Sequence, residues 1–306
     1  MDRRTFLAAA AAGAGFRPQP ARADGPAPTR FQIACMTLPY SRFPLARALD
    51  GIKGAGYRYV AWGTTHNEGD GRATPVVPKD AEPAHARDLG RRCRDLGLEP
   101  VMMFSGVYPE AADGFEVHRQ RILQAAAAGI PQVLTFGHTK GASRAVWVER
   151  FRRLGPIARD NNVTIVVKQH GGETGTGEAC AAVTREVNHP NVKVNYDAGN
   201  VLDYLDKDPI PDIRACAGEV RSFCIKDHRN WPRDEDCGPG FGEIDHYRLL
   251  HPVAFTGLTM PLACENIFAP LVPRPDRPEG VDALAKRARE FLEVVTAGLQ
   301  LPAGKK

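Results

Sequence analysis

Eight short runs of apolar, largely β-branched or aromatic residues punctuate this chain, at 31–36, 57–62, 98–104, 132–136, 163–167, 192–196, 220–225 and 258–264. Between them lie longer segments with helical periodicity, at 45–55, 81–96, 115–128, 144–161, 177–187, 201–205, 245–250 and 281–297. Val146, Phe151, Leu154 and Ile157 show the spacings of three and four that make one helix face apolar. The strand runs are too apolar to have a solvated face, which is the condition of a parallel sheet wrapped by helices. Repeated eight times, the alternation predicts an α/β chain closed as a (β/α)8 barrel. An open, doubly wound sheet binding a dinucleotide would want G-x-G-x-x-G after the first strand, where Met36-Thr37-Leu38-Pro39 stands instead. The Gly238-Pro239-Gly240-Phe241-Gly242 run follows the seventh strand and reads as a loop.

With 306 residues, 43% of them hydrophobic, the chain is long enough for one such domain and short of a second. The net charge of +4 is a small excess of 40 basic over 36 acidic side chains, scattered through the helical segments, and does not imply nucleic acid as a partner. Part of the excess sits at the start. Arg3-Arg4-Thr5-Phe6-Leu7 precedes an alanine-rich stretch and then Ala21-Arg22-Ala23. A basic start, a weakly apolar middle and an A-x-A end resemble a twin-arginine export signal. That resemblance implies a bacterial protein carried by the twin-arginine translocase to the periplasm or beyond after folding. The expected division is a signal peptide at 1–23, a linker at 24–30, the barrel at 31–300 and a tail at 301–306. The apolar stretch is far shorter than the roughly 20 residues of a membrane-spanning helix, so no stable span is expected. Seven cysteines without paired spacing give neither a disulfide framework nor a C-x-x-C zinc pattern, and read as small core residues.

Chemistry concentrates at the ends of the last four strands. Lys168-Gln169-His170-Gly171-Gly172, Asn195-Tyr196-Asp197-Ala198-Gly199-Asn200, Cys224-Ile225-Lys226-Asp227-His228 and Cys264-Glu265-Asn266 each follow an apolar run. The carboxyl ends of barrel strands are where this architecture places its reacting groups. Side-chain alternation puts Lys168 and His170 on one face with Gln169 opposite, pairs Asn195 with Asp197, and aligns Cys224 with Lys226 and His228. If those faces turn inward, Lys168, His170, Asp197, Cys224, Lys226 and Glu265 converge on one pocket.

The arrangement resembles the sugar phosphate isomerase/epimerase family, the xylose-isomerase-like barrels. His170 falls on the His of that family's Glu-x-His motif, Asp197 on the Asp of Asp-x-x-His, Lys226-Asp227 on His-x-Lys-Asp, Gly240, Gly242 and Asp245 on the G-x-G-x-x-D loop, and Glu265 on the terminal Glu. The departures are Lys168 for a Glu, Cys224 for a His and Asn200 for a His. The family's divalent metal is held by the fifth-strand Glu, sixth-strand Asp, seventh-strand His and eighth-strand Glu, so only Asp197 and Glu265 remain as ligands. Two readings follow. Lys168 stands in for the metal's charge, or a rebuilt site for zinc, manganese or magnesium uses His170, Asp197, Glu265 and either His228 or Cys224.

The resemblance further implies proton transfer next to the carbonyl of a sugar or keto-sugar. Glu265 and Asp197 are the expected base and acid, Lys168 and Lys226 the electrostatic stabilisers, and His170 the hydroxyl contact or relay. His228, Asn200, Trp62 and His138 are candidate substrate contacts, the last two equally readable as packing. Asp227 reads as substrate contact or loop partner, and Asp245 as the N-cap of a short helix. Phosphate recognition is not expected at Gly171-Gly172-Glu173-Thr174-Gly175-Thr176-Gly177, where Glu173 would face a dianion, so a neutral sugar, keto-sugar or glycoside is the expected ligand. A lyase acting on a 3-keto-glycoside and a non-catalytic sugar-binding barrel are the competing functions. A nuclease would need a His-rich metal cluster and a basic surface.

Overall fold

The computed structural model describes residues 27–69, 71–138 and 143–300. The expected signal peptide, linker residues 24–26 and the tail lie outside the described residues. Eight strands close into a barrel: β1 (Arg30–Met36), β2 (Tyr59–Trp62), β3 (Glu99–Phe104), β4 (Gln132–Thr135), β5 (Thr164–Val167), β6 (Val192–Tyr196), β7 (Val220–Ile225) and β8 (Thr259–Cys264). Every neighbouring pair is parallel, and β8 returns to β1 with Arg30 opposite Thr259 through Cys35 opposite Cys264. All eight strands fall on the apolar runs read from the sequence.

Helices α1 (Leu45–Gly54), α2 (Pro83–Asp95), α3 (Gly114–Ala128), α4 (Arg144–Asp160), α5 (Gly177–Val187), α6 (Ala198–Leu205), α7 (Pro209–Cys216), α8 (His246–Leu250) and α9 (Pro278–Leu299) cover the outside. Their ends have local causes. The Thr176 hydroxyl accepts from Ala179 N at 3.0 Å to start α5, and Asp245 Oδ1 accepts from Arg248 N at 3.0 Å to start α8, the capping role read for it. Helix α7 is an addition to the sequence reading. Its two prolines look like a loop, yet Pro209 and Pro211 sit in a first turn that needs no intrahelical N–H, capped by Asp208 Oδ1 on Ile210 N at 2.9 Å.

Strand alternation divides the apolar residues between two cores. Val60, Trp62, Val133, Ile165, Val167, Val194, Phe223 and Leu262 face the helices. Ala34, Met36, Ala61, Met102, Leu134, Val166, Cys224 and Ala263 fill the barrel. Continuing the inward count past each strand's end delivers Phe136, Lys168, Lys226 and Glu265 to the mouth. The register slips between Val194 and Asn195 against β7, and Asn195 fills the irregularity by donating to Ser222 Oγ at 2.9 Å and accepting from Cys224 N at 3.1 Å. The seven cysteines are buried and unpaired. Among the described residues no helix is long and apolar enough to cross a membrane.

Candidate active site

At the carboxyl ends of β5, β6 and β8, Lys168 Nζ lies 2.7 Å from both Glu265 oxygens and 3.0 Å from Asp197 Oδ2. The lysine is 3% exposed and Asp197 fully buried. Backbone ladders hold the three in place, with Lys168 N on Thr135 O at 2.9 Å and Glu265 N on Ile225 O at 2.8 Å. Gln169, facing the other way as alternation requires, accepts from Asp197 N through Oε1 at 2.6 Å and so locks β5 to β6. Asp197 Oδ1 caps α6 through Asn200 N at 3.0 Å, whereas Oδ2 makes no aligned hydrogen bond.

Burial would drive the Lys168 ammonium toward neutrality, but Glu265 and Asp197 outweigh it and hold the pKa well above the ordinary lysine range. Burial likewise opposes ionisation of Asp197, and Lys168 and Lys226 overcome it, keeping that carboxyl below its usual value. The same charges favour the anionic form of Asp197 in the unliganded site. Glu265 goes the other way: burial and the charge of Asp197 raise its pKa against the pull of Lys168 and Lys226. Of the two carboxylates, Glu265 is the one whose surroundings favour holding a proton.

Lys226 Nζ pairs with Asp236 Oδ2 at 2.5 Å, and the same carboxylate meets His228 Nδ1 at 3.1 Å. His228 Nε2 is taken by Asn230 Oδ1 at 3.0 Å. His170 stands in the mouth among rings, 4.5 Å from Phe136 and 5.5 Å from Tyr204. Its Nδ1 donates to Gly137 O at 2.9 Å, which fixes the tautomer and leaves Nε2 as an unbonded acceptor. Burial lowers its pKa, so the ring is neutral. Phe136, Tyr204 and Asp236 escaped the sequence reading. Phe136 was accessible to it, two residues past the inward-facing Leu134.

Asn200, Asp227 and Trp62, candidate substrate contacts, all make scaffold contacts. Asn200 is buried and spends its amide on Gln169 O at 2.6 Å. Asp227 accepts from His228 N, Gly240 N and Ile244 N at 2.9–3.1 Å, bracing the loop after β7. Trp62, one position past the inward Ala61, packs among the outward-facing core residues and also lines a cavity at the carboxyl ends of β2 and β3. His138 is exposed, stacked 4.4 Å from Tyr108, with its backbone N–H on Glu110 Oε1.

Residues 49–292 match the family described as the xylose isomerase-like TIM barrel. The chain belongs to that family. A comparison with curated proteins finds no match. Solved barrels of this shape include an L-ribulose 3-epimerase (15% identity, TM-score 0.67, covering 90% of this chain and 99% of that one). A D-allulose 3-epimerase from Methylomonas sp. in complex with D-allulose is 20% identical, with a TM-score of 0.63 over 88% of this chain and 99% of that one. A xylose isomerase-like barrel protein from Mycobacterium smegmatis in complex with magnesium is 17% identical, with a TM-score of 0.67 over 89% and 97%. At such identities the likeness carries the fold.

Asp197, Cys224 and Glu265 bring ligand atoms within 4.8 Å of one another, a spacing at which three such groups could meet one ion. His170 is not part of that group. The set does not fit a divalent ion, because a protonated ammonium lies in hydrogen-bond or ion-pair contact with both carboxylates and burial keeps the Cys224 thiol from ionising.

Proposed function

We propose that this barrel is a sugar isomerase or epimerase that moves a proton on the carbon next to a carbonyl, with a lysine in place of a metal. The single observation behind this is Lys168 Nζ bridging Glu265 and Asp197 at the mouth. Glu265 takes the proton from the carbon; the C–H electron pair becomes the C=C bond of an enediolate, and the carbonyl electrons move onto oxygen. An ammonium has three donors, and both aligned bonds of Lys168 go to Glu265. Once Glu265 is protonated its hold on Nζ weakens, and an N–H released from it meets the developing oxyanion, where one such donor is commonly worth about 3 kcal/mol. Return of the proton by Glu265 to the neighbouring carbon on the same face is isomerisation; epimerisation requires the enediolate to turn its opposite face to Glu265 before the proton returns to the same carbon. Asp197 stays ionised and holds Lys168 charged. His170 Nε2 accepts a substrate hydroxyl, and Lys226, anchored by Asp236, adds positive potential.

Incubating the full chain with a panel of aldoses, ketoses and 3-keto-sugars in deuterated water tests this. Deuterium at a carbon next to the carbonyl is expected for at least one. Binding of a sugar without exchange would convert the reading to a sugar-binding barrel, and exchange ending in loss of a substituent would make it a lyase. We place this activity outside the cytoplasm, on the strength of Arg3-Arg4 and Ala21-Arg22-Ala23.

A further inference from the structure

Arg121, on α3, is a buried cation with no acid beside it. It is 6% exposed. Nε donates to Ser105 O at 2.9 Å, and Nη1 to Val77 O at 2.9 Å and to Gln124 Oε1 at 2.7 Å. Those bonds use three of its five N–H groups and meet only neutral oxygens. Nη2 makes none, and it is not sealed in the packing. A cavity of about 210 Å³ lies at the carboxyl ends of β2 and β3, lined by Arg121 together with Thr64, Thr65, Lys79 and Gly106. A Cβ on Gly106 would come 3.3 Å from Nη2, so the bare glycine backbone is what flanks the free end of the guanidinium.

Buried charges are ordinarily paired, because desolvation costs several kcal/mol per ion. For Arg121, burial brings the pKa down to about 10 with no neighbouring carboxylate opposing it. Lys79 adds a second positive charge at the rim, shared with Asp113 at 2.5 Å. Hydroxyls are available from Thr64 and Thr65. We propose that this cavity is an anion site, in which a carboxylate- or phosphate-type oxyanion accepts from Arg121 Nη2. At about 210 Å³ it is smaller than the roughly 300–1,000 Å³ of pockets that enclose a whole drug-sized ligand, so it takes a single acidic group. Phe104 borders the cavity and stands edge-on to Phe136 at 6.0 Å, which puts the site beside the aromatic wall of the mouth. The oxyanion therefore belongs either to the substrate itself or to a separate small anion.

Calorimetric titration of the full chain decides, and it does not use turnover, so it stands or falls apart from the isomerase reading. The probes are inorganic phosphate, acetate, glucuronate and glucose 6-phosphate, with glucose as the neutral control. At least one anion is expected to saturate the wild type, with Arg121→Gln weakening it tenfold or more and leaving any glucose signal unchanged. Gly106→Asp places a carboxylate next to Nη2, with a tight 3.3 Å approach of its Cβ and a strained φ of +73° that Asp tolerates better than most residues. It is expected to abolish anion binding, and it serves if Arg121→Gln does not fold. Binding of the sugar acids alone assigns the oxyanion to the substrate; equal binding of phosphate or acetate assigns it to a separate ion. An unsaturable wild type, or wild-type affinity in Gly106→Asp, overturns the proposal.

Discussion

Lys168 carries two loads at once, and a single substitution confounds them. Lys168→Met removes the oxyanion donor and also leaves Glu265 and Asp197 buried without their paired cation, a situation that commonly costs about 3–5 kcal/mol of stability. Turnover is expected to fall about a hundredfold or more, with a lower melting temperature at neutral pH. Pairing it with Glu265→Gln returns the cluster's charge from minus two to minus one. The double variant should regain much of the lost stability and none of the activity, measured by thermal melts and turnover on the same preparations; recovery of turnover would show that the site lies elsewhere. Glu265→Gln alone should lose about a hundredfold or more in turnover. The pH dependence has a definite sign. The base works deprotonated and burial raises its pKa, so turnover should rise with pH through a limb above the ordinary carboxylate range. A limb within that range would assign the base to another carboxylate.

Among the elements, the loop after β7 shows why glycines recur at fixed spacing. Gly240 has φ +76°, the left-handed region, and hands its N–H to Asp227 Oδ2. A Cβ at Gly242 would press on Asp227 Oδ1 at 2.3 Å. Asp227→Ala strands three backbone N–H groups, two of them in the loop, and should cost about 1–3 kcal/mol for each donor left buried and unmet. The urea midpoint should drop and amide exchange should accelerate at Gly240 and Ile244; unchanged exchange there would show the loop held by other contacts. The eight strands were legible because β-branched runs flanked by helical periodicity leave little choice of pairing. Lys168, Asp197, Lys226 and Glu265 were legible for the same reason, since alternation fixes which residue turns inward. Asn200 and Asp227 were not, because a polar side chain beyond a strand end has no periodicity to say whether it meets substrate or backbone. Asp236 joins the site through a hairpin, Asp227–Arg229 against Glu235–Cys237, whose pairing leaves no pattern in so short a sequence. Arg121 is harder still: its interest lies in a neighbour it lacks.

For the whole molecule, two expectations remain to be measured. Protein treated with chelator should keep most of its turnover, and elemental analysis should find well under one tightly held divalent ion per chain. Full occupancy with loss of activity on chelation would replace the lysine reading by a rebuilt metal site. Changing Arg3 and Arg4 to lysine should hold the precursor in the cytoplasm, and undiminished export would remove the twin-arginine assignment. The bridge from β5 to β6 and β8 has one more consequence. A side-chain cation is supplied by translation, one per chain, and no competing ligand in the medium can strip it or exchange it for a different element. Its charge is single and its reach is fixed by four methylenes, so on the lysine reading the barrel would give up the adaptable coordination of an ion and gain independence from whatever ions its surroundings contain.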